Sequence, residues 1–149
     1  MYSHKLLIAS CCLTLLMMQN SSSQESPGLG VPISQQDLAP WDISIETDGS
    51  GLPSGSGTAS VGELVYQAQC IQCHGDKGSD GLYDRLVGGH GTLDQLNQVK
   101  TVGSFWPNAT TAFDYIRRSM PFNTPQTLSD DQVYALTAYL LFLNGIIEE

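Results

Sequence analysis

Two cysteines and a histidine form the most informative cluster in this 149-residue chain. Cys70 and Cys73 are three positions apart, and His74 follows directly. Residues at i and i+3 lie on one side of a helical turn, so both thiols can reach the same bound group. This spacing is typical of covalent haem attachment, in which each thiol adds to a vinyl group and the imidazole becomes the proximal iron ligand. We therefore predict one haem c, tethered by Cys70 and Cys73, with His74 on its iron.

Two other chemistries use the same residue types. A Cys-x-x-Cys pair can be a redox dithiol, but that motif usually accompanies a βαβ pattern, and no alternating strand is visible nearby. A zinc site needs four ligands, and beyond the N-terminal segment the suitable candidates are Cys70, Cys73, His74 and His90. Joint ligation by Cys73 and His74 is awkward because neighbouring side chains point in different directions. Both chemistries remain alternatives that rank below haem attachment.

A six-coordinate haem iron needs a second axial ligand, for which Met120 is the leading candidate. Pro121 follows it and prevents a helix from continuing, so extended backbone can present the Met120 side chain. His90, in a glycine-rich segment, is the rival. Ligation by His74 and Met120 would favour ferrous iron and raise the reduction potential. If Met120 is displaceable, the alternative function is a haem enzyme or a gas-binding sensor.

The N-terminus has the features of a secretory signal peptide over residues 1–23. Lys5 precedes an apolar run from Leu6 to Met18 that is too short for a transmembrane helix. We predict cleavage after Ser23, export to the periplasm and no lipid anchor at Cys11. Cleavage removes one basic residue, so the formal net charge of −9 becomes one unit more negative. Such a surface argues against nucleic-acid binding and favours solubility, or docking onto basic patches of other proteins.

The exported part divides into an arm and a helical domain. Residues 24–59 are rich in Gly, Pro and Ser and cannot form a core of their own. Within this arm, the apolar residues of Trp41–Ile45 predict an extended strap that packs partly on the domain of residues 60–149. We expect no sheet, so the predicted fold is all-α, a small domain with three main helices around one haem.

Hydrophobic periodicity and capping residues place these helices. Ser129 predicts an N-terminal capping box with Gln132, and Gly145 predicts the end of that helix. We expect Gly75–Gly91 to form a loop, because it holds six of the fifteen glycines. The other predicted segments are a helix over Val61–Gln69, a turn or two of helix over Thr92–Val99, and a helix over Thr111–Ser119.

Aromatic and basic residues supply candidates for further haem contacts. We expect at least one aromatic ring near Met120 to pack on the porphyrin. One or two basic side chains are expected to pair with the propionates. The aromatic candidates are Phe105, Trp106, Tyr115 and Phe122, and the basic candidates are Arg85, Lys100, Arg117 and Arg118.

The chain resembles class I c-type cytochromes over residues 60–147. The resemblance is carried by Cys70–His74, by Met120-Pro121 and by the C-terminal helix bearing Tyr139. A closer similarity is to the haem subunit of bacterial sulfane dehydrogenase and related sulfite dehydrogenase cytochromes. The matching segments are Trp41–Ile43, Gly51–Gly57, Asp84–Gly89, Lys100–Pro107 and Phe113–Phe122.

The resemblance implies an electron carrier rather than an enzyme. It would accept single electrons from a molybdenum-cofactor subunit that oxidises a sulfur compound and pass them to another periplasmic cytochrome. The resemblance also implies that Gly62 and Tyr139 are the pair at which the first and last helices cross. The chain departs from the family by having a single haem motif. It also has no proline in Gly81–Asp84, where many class I cytochromes have one that orients the proximal histidine.

Overall fold

The computed structural model describes residues 27–149, so the predicted signal peptide, its cleavage site and Cys11 lie outside the described residues. Residues 27–38 and 39–149 belong to separate compact units. In the first unit, α1 spans Gln35–Leu38, and the Ser34 hydroxyl donates to the Asp37 carboxylate at 2.6 Å. Among residues 27–149, no helix is long and apolar enough to cross a membrane.

The second unit contains four helices, and residues 27–149 form no strand. The all-α prediction is therefore confirmed, with three main helices and one short one in this unit. Most ends of the three long helices lie within two residues of their predicted positions. They are α2 (Ala59–Gln69), α4 (Ala109–Ser119) and α5 (Asp130–Leu143), and the short helix is α3 (Ile71–His74).

The predicted capping box at the start of α5 is confirmed. The Ser129 hydroxyl accepts from the Gln132 amide at 3.3 Å, and the Gln132 side chain accepts from the Ser129 amide at 2.9 Å. At the other end, Asn144 is the C-cap and Gly145 follows with φ of +66°. Both ends are therefore fixed by local sequence, as in most helices with such residues.

The helical prediction for Thr92–Val99 is wrong. This segment forms hydrogen-bonded turns, and the Thr92 hydroxyl accepts from the Val99 amide at 3.0 Å. The same hydroxyl donates to the Gly89 carbonyl at 2.8 Å. Threonine side chains that bond nearby backbone offer it an alternative to helical bonding, which explains the difference.

The crossing of α2 and α5 forms the centre of the core. A Cβ at Gly62 would lie 2.8 Å from the Tyr139 Cβ and even closer to the Ala135 carbonyl group, so only glycine permits this approach. The Tyr66 and Tyr139 rings pack at 5.4 Å between centroids. The predicted Gly62–Tyr139 crossing is confirmed, and the Ala135 backbone is the further contact that brings the helices together.

Part of the arm packs on this core. Ile45 and Leu52 contact the buried cluster, and the Tyr134 hydroxyl donates to the Pro53 carbonyl at 2.8 Å. Trp41, however, is 83% exposed. Its burial, which motivated the strap prediction, does not occur, and the contact is made by the aliphatic residues instead.

Candidate functional site

The Cys70–His74 segment forms one tight turn at the junction of two helices. Cys70 ends α2 and precedes α3, and its carbonyl accepts from the Cys73 amide at 3.1 Å and the His74 amide at 2.9 Å. Gly75 then stops α3 with φ of +82°. The backbone therefore holds both thiols and the imidazole within a single turn.

The two thiols differ in their surroundings. Cys70 is partly buried against the core, whereas Cys73 is exposed. Burial, and secondarily the nearby Cys73, raises the pKa of the Cys70 thiol to about 11. Reactive dithiols have a lowered pKa, so this environment does not favour the redox-dithiol alternative. Cys70 is instead placed as a neutral thiol on the apolar side of the turn.

The imidazole of His74 has a partner that fixes its orientation. Its Nδ1 lies 3.0 Å from the backbone carbonyl oxygen of Asp84. A carbonyl can only accept, so Nδ1 carries a proton, and in the neutral imidazole Nε2 is then the nitrogen whose lone pair can bind a metal. This contact orients the His74 ring. In many class I cytochromes a proline in this loop is expected to help with that orientation, but the Gly81–Asp84 segment has no proline.

The loop after the motif packs unusually close to it. A Cβ at Gly81 would collide with the Cys73 carbonyl oxygen and the His74 carbonyl carbon. The Tyr83 amide donates to the Cys73 carbonyl at 3.1 Å. The glycine-rich composition signals a loop, but the position of Gly81 against the motif follows only from the fold.

Backbone hydrogen bonds connect the C-terminal part of this loop to Gly78, four residues after His74. The Gly78 carbonyl accepts from the Leu86 amide at 2.7 Å and from the Val87 amide at 3.2 Å. The Tyr66 hydroxyl donates to the Gly75 carbonyl at 2.9 Å. These bonds close the loop around the residues that follow His74.

Met120 is the C-cap of α4 and has extended backbone, with φ of −121° and ψ of +148°. Its side chain is partly buried and packs against the same core cluster as Cys70. The extended conformation agrees with the effect expected of Pro121. His90, the rival ligand, is exposed in its glycine-rich segment.

Large apolar side chains are exposed next to both candidate ligand segments. Leu82 and Tyr83 follow the Cys-x-x-Cys-His turn and are 89% and 67% exposed, and Phe122, two residues after Met120, is 87% exposed. Phe105 is also half exposed, whereas Trp106 packs edge-on against Tyr115 at 5.4 Å. Two thiols on one turn, an oriented imidazole, a thioether and exposed apolar side chains together fit a haem group.

The basic candidates for propionate pairing are not equivalent. The Arg117 Nε lies 3.0 Å from the Asp130 carboxylate, and Arg118 pairs with Asp114 one turn earlier. The Lys100 ammonium lies 4.8 Å from the centroid of the Phe105 ring. Arg117 and Arg118 already have carboxylate partners. Arg85 and Lys100 are therefore the better candidates for pairing with the propionates.

Three comparisons place this geometry among known proteins. The family model described as cytochrome c oxidase, cbb3-type, subunit III matches residues 57–140. A chain in the crystal structure of the sulfane dehydrogenase SoxCD from Paracoccus pantotrophus is 43% identical, with a TM-score of 0.77. That similarity covers 83% of this chain and 61% of the other.

The thiosulfate dehydrogenase of Allochromatium vinosum is 28% identical over 90 residues, which cover 54% of this chain and 29% of that protein. This chain therefore spans less than two thirds of either relative.

Proposed function

Because this chain belongs to the cytochrome c family described as cytochrome c oxidase, cbb3-type, subunit III, and is a haem c electron carrier, we propose that it is a periplasmic cytochrome with one covalent haem. The observation that carries the proposal is the Cys70–His74 turn, in which the His74 Nδ1 lies 3.0 Å from the Asp84 carbonyl. Bound haem supplies a one-electron couple between ferric and ferrous iron.

The chain's own residues hold the group. Cys70 and Cys73 would form the thioether tethers, and His74 would ligate the iron through Nε2. Met120 would present its sulfur from the extended segment after α4. Since Met120 packs on the core and His74 is held by a hydrogen bond, neither ligand has to move far when the oxidation state changes, which favours fast electron transfer.

The relatives support a role in sulfur oxidation. The two proteins in the comparisons are named as a sulfane dehydrogenase and a thiosulfate dehydrogenase. We infer that the electron donor is the molybdenum-containing subunit of a sulfur-compound dehydrogenase and that the acceptor is another cytochrome. Reduction of the purified protein by such a dehydrogenase and its substrate tests the inference, and failure of every sulfur-oxidising donor would contradict it.

Replacing the proposed distal ligand tests the site. We expect mass spectrometry of the wild-type protein to show one covalent haem. Met120→Ala should keep the mass added by the haem but lose the thioether–iron absorption band. Because the sixth coordination position is opened, its reduction potential should fall and it should bind carbon monoxide rapidly. Leu128→Ala is the matched control, since Leu128 is also partly buried against the core cluster and has no sulfur.

Three results would contradict the proposal. A mature protein without the added haem mass would overturn the haem assignment itself. An unchanged spectrum of Met120→Ala, or rapid carbon monoxide binding by the wild type, would overturn Met120 ligation and favour the enzyme or sensor alternative.

A further inference from the structure

The side chain of Asn144 connects the end of the last helix to the loop that follows the haem motif. Asn144 is 8% exposed and lies at the C-cap of α5. Its Nδ2 donates to the Leu86 carbonyl at 3.2 Å and to the Leu140 carbonyl at 2.8 Å, and its Oδ1 accepts from the Gly88 amide at 3.0 Å. The amide group is therefore satisfied on both sides, and two of its bonds cross from α5 to the loop.

The bonds to Leu86 and Gly88 fall just beyond Asp84, whose carbonyl accepts from the His74 ring. Thr101 adds a second anchor, because its hydroxyl donates to the Gly88 carbonyl at 2.6 Å. Gly88 is thus held through its amide by Asn144 and through its carbonyl by Thr101. The backbone that carries the His74 acceptor is fixed within four residues on its C-terminal side.

Close packing keeps the Asn144 side chain in this position. A Cβ at Gly103 would collide with the Asn144 side-chain amide, so glycine is needed for the adjacent segment to approach. Asn144 has a buried donor and a buried acceptor that no aliphatic residue of similar size can replace. Its loss would leave the Gly88 amide and the Leu86 carbonyl without these partners at a part-buried position.

We propose that Asn144 is a positioning residue for the proximal iron ligand, acting through the Asp84–Gly88 backbone. The inference rests on the proposed haem function. Hydrogen bonds from the second ring nitrogen of a ligating histidine fix its orientation and raise its basicity. A more basic imidazole stabilises ferric iron, so a well-held Asp84 carbonyl keeps the reduction potential lower than a loosely held one would.

The experiment compares three variants of the haem-loaded protein. Asn144→Leu removes all three hydrogen bonds without adding a charge. Thr101→Val removes the other anchor of Gly88 with little change in shape. Thr137→Val is the matched control, because Thr137 is a buried polar residue of α5 whose hydroxyl donates to the Val133 carbonyl of its own helix.

Three readouts separate positioning from general destabilisation. They are the reduction potential, the exchange rate of the His74 ring Nδ1 proton by nuclear magnetic resonance, and the free energy of unfolding. For Asn144→Leu we expect a more positive potential and ring-proton exchange faster by about tenfold, the factor for a hydrogen bond weakened by about 1.4 kcal/mol. Thr101→Val should shift both in the same direction by less, and Thr137→Val should lower only the stability.

Unchanged potential and ring-proton exchange in a folded Asn144→Leu protein would overturn the inference. Equal shifts in Thr137→Val would also overturn it, because the effect would then follow stability alone. If Asn144→Leu fails to fold, Thr101→Val decides in the same way. Each result is distinct from failure of the proposed function, which would appear as absence of the covalent haem from the wild type.

Discussion

At the scale of single residues, the buried hydroxyl of Tyr66 is the clearest structural device outside the candidate ligands. Tyr66 is 1% exposed, and its hydroxyl donates to the Gly75 carbonyl immediately after His74. Burial is the main cause that raises the pKa of Tyr66, with smaller contributions from Cys70, from Tyr139 and from two nearby aspartates. The side chain therefore stays a neutral donor over the physiological range.

Tyr66→Phe should lower the free energy of unfolding by about 1 kcal/mol, because the partly buried Gly75 carbonyl loses its donor. Chemical denaturation of the haem-loaded protein measures the change. Tyr134→Phe is the matched control, since it also deletes a hydroxyl that donates to a backbone carbonyl, but from a side chain that is less buried. A smaller loss for Tyr66→Phe than for Tyr134→Phe would contradict this account.

The difference in stability between the wild type and Tyr66→Phe should depend on pH. The pKa of Tyr66 is raised by folding, so its contribution to stability is complete below the unfolded pKa of about 10 and is lost as the pH rises through the folded value. We expect the stability advantage of wild type over Tyr66→Phe to shrink above pH of about 10. An advantage that is constant at higher pH would show that the hydroxyl ionises as easily in the folded state.

At the scale of elements, the crossing of α2 and α5 depends on one glycine. Gly62→Ala should reduce stability by about 1–3 kcal/mol, because the added methyl group meets the Ala135 backbone and the Tyr139 Cβ. This loss should exceed the gain of about 1 kcal/mol in helix propensity. Thermal unfolding measures the balance.

Gln67→Ala serves as the control for that variant, because Gln67 is exposed on the same helix. We expect its effect to lie within about 0.5 kcal/mol. If Gly62→Ala is instead as stable as wild type, the helices have room to move apart and the crossing is not fixed by backbone contact.

Element boundaries were predictable where local chemistry decides them. The capping residues Ser129 and Gln132 and the stop at Gly145 act within one turn, so their types alone place α5. Thr92–Val99 was not predictable in the same way. Whether its threonine hydroxyl bonds the backbone or leaves it free to continue as a helix depends on neighbouring turns that no periodicity records.

At the scale of the whole molecule, the domain is small, so its stability should depend on the haem. Domains of this length bury a limited fraction of their surface, and several large apolar side chains lie exposed next to the candidate site, where a bound haem would cover apolar surface. We expect Cys70→Ala/Cys73→Ala to lose most of its helical circular dichroism and its cooperative unfolding.

Met120→Ala is the control for the cysteine variant, because it should keep the tethered haem and with it the helical signal. A Cys70→Ala/Cys73→Ala protein that binds no haem and still unfolds cooperatively from a native-like helical state would contradict the dependence. Comparing the two variants separates loss of one iron ligand from loss of the whole group.

The sequence by itself determined the candidate chemistry, because that chemistry lies in the types and close spacing of a few side chains. Cys70, Cys73 and His74 share one turn, and helix periodicity with end signals is also local information. Only the tertiary structure decided that the Asp84 carbonyl faces the His74 ring and that Asn144 holds the loop behind it. Every residue has a carbonyl and an amide, so which of them meet across a fold leaves no mark in the residue types and depends on how distant segments pack.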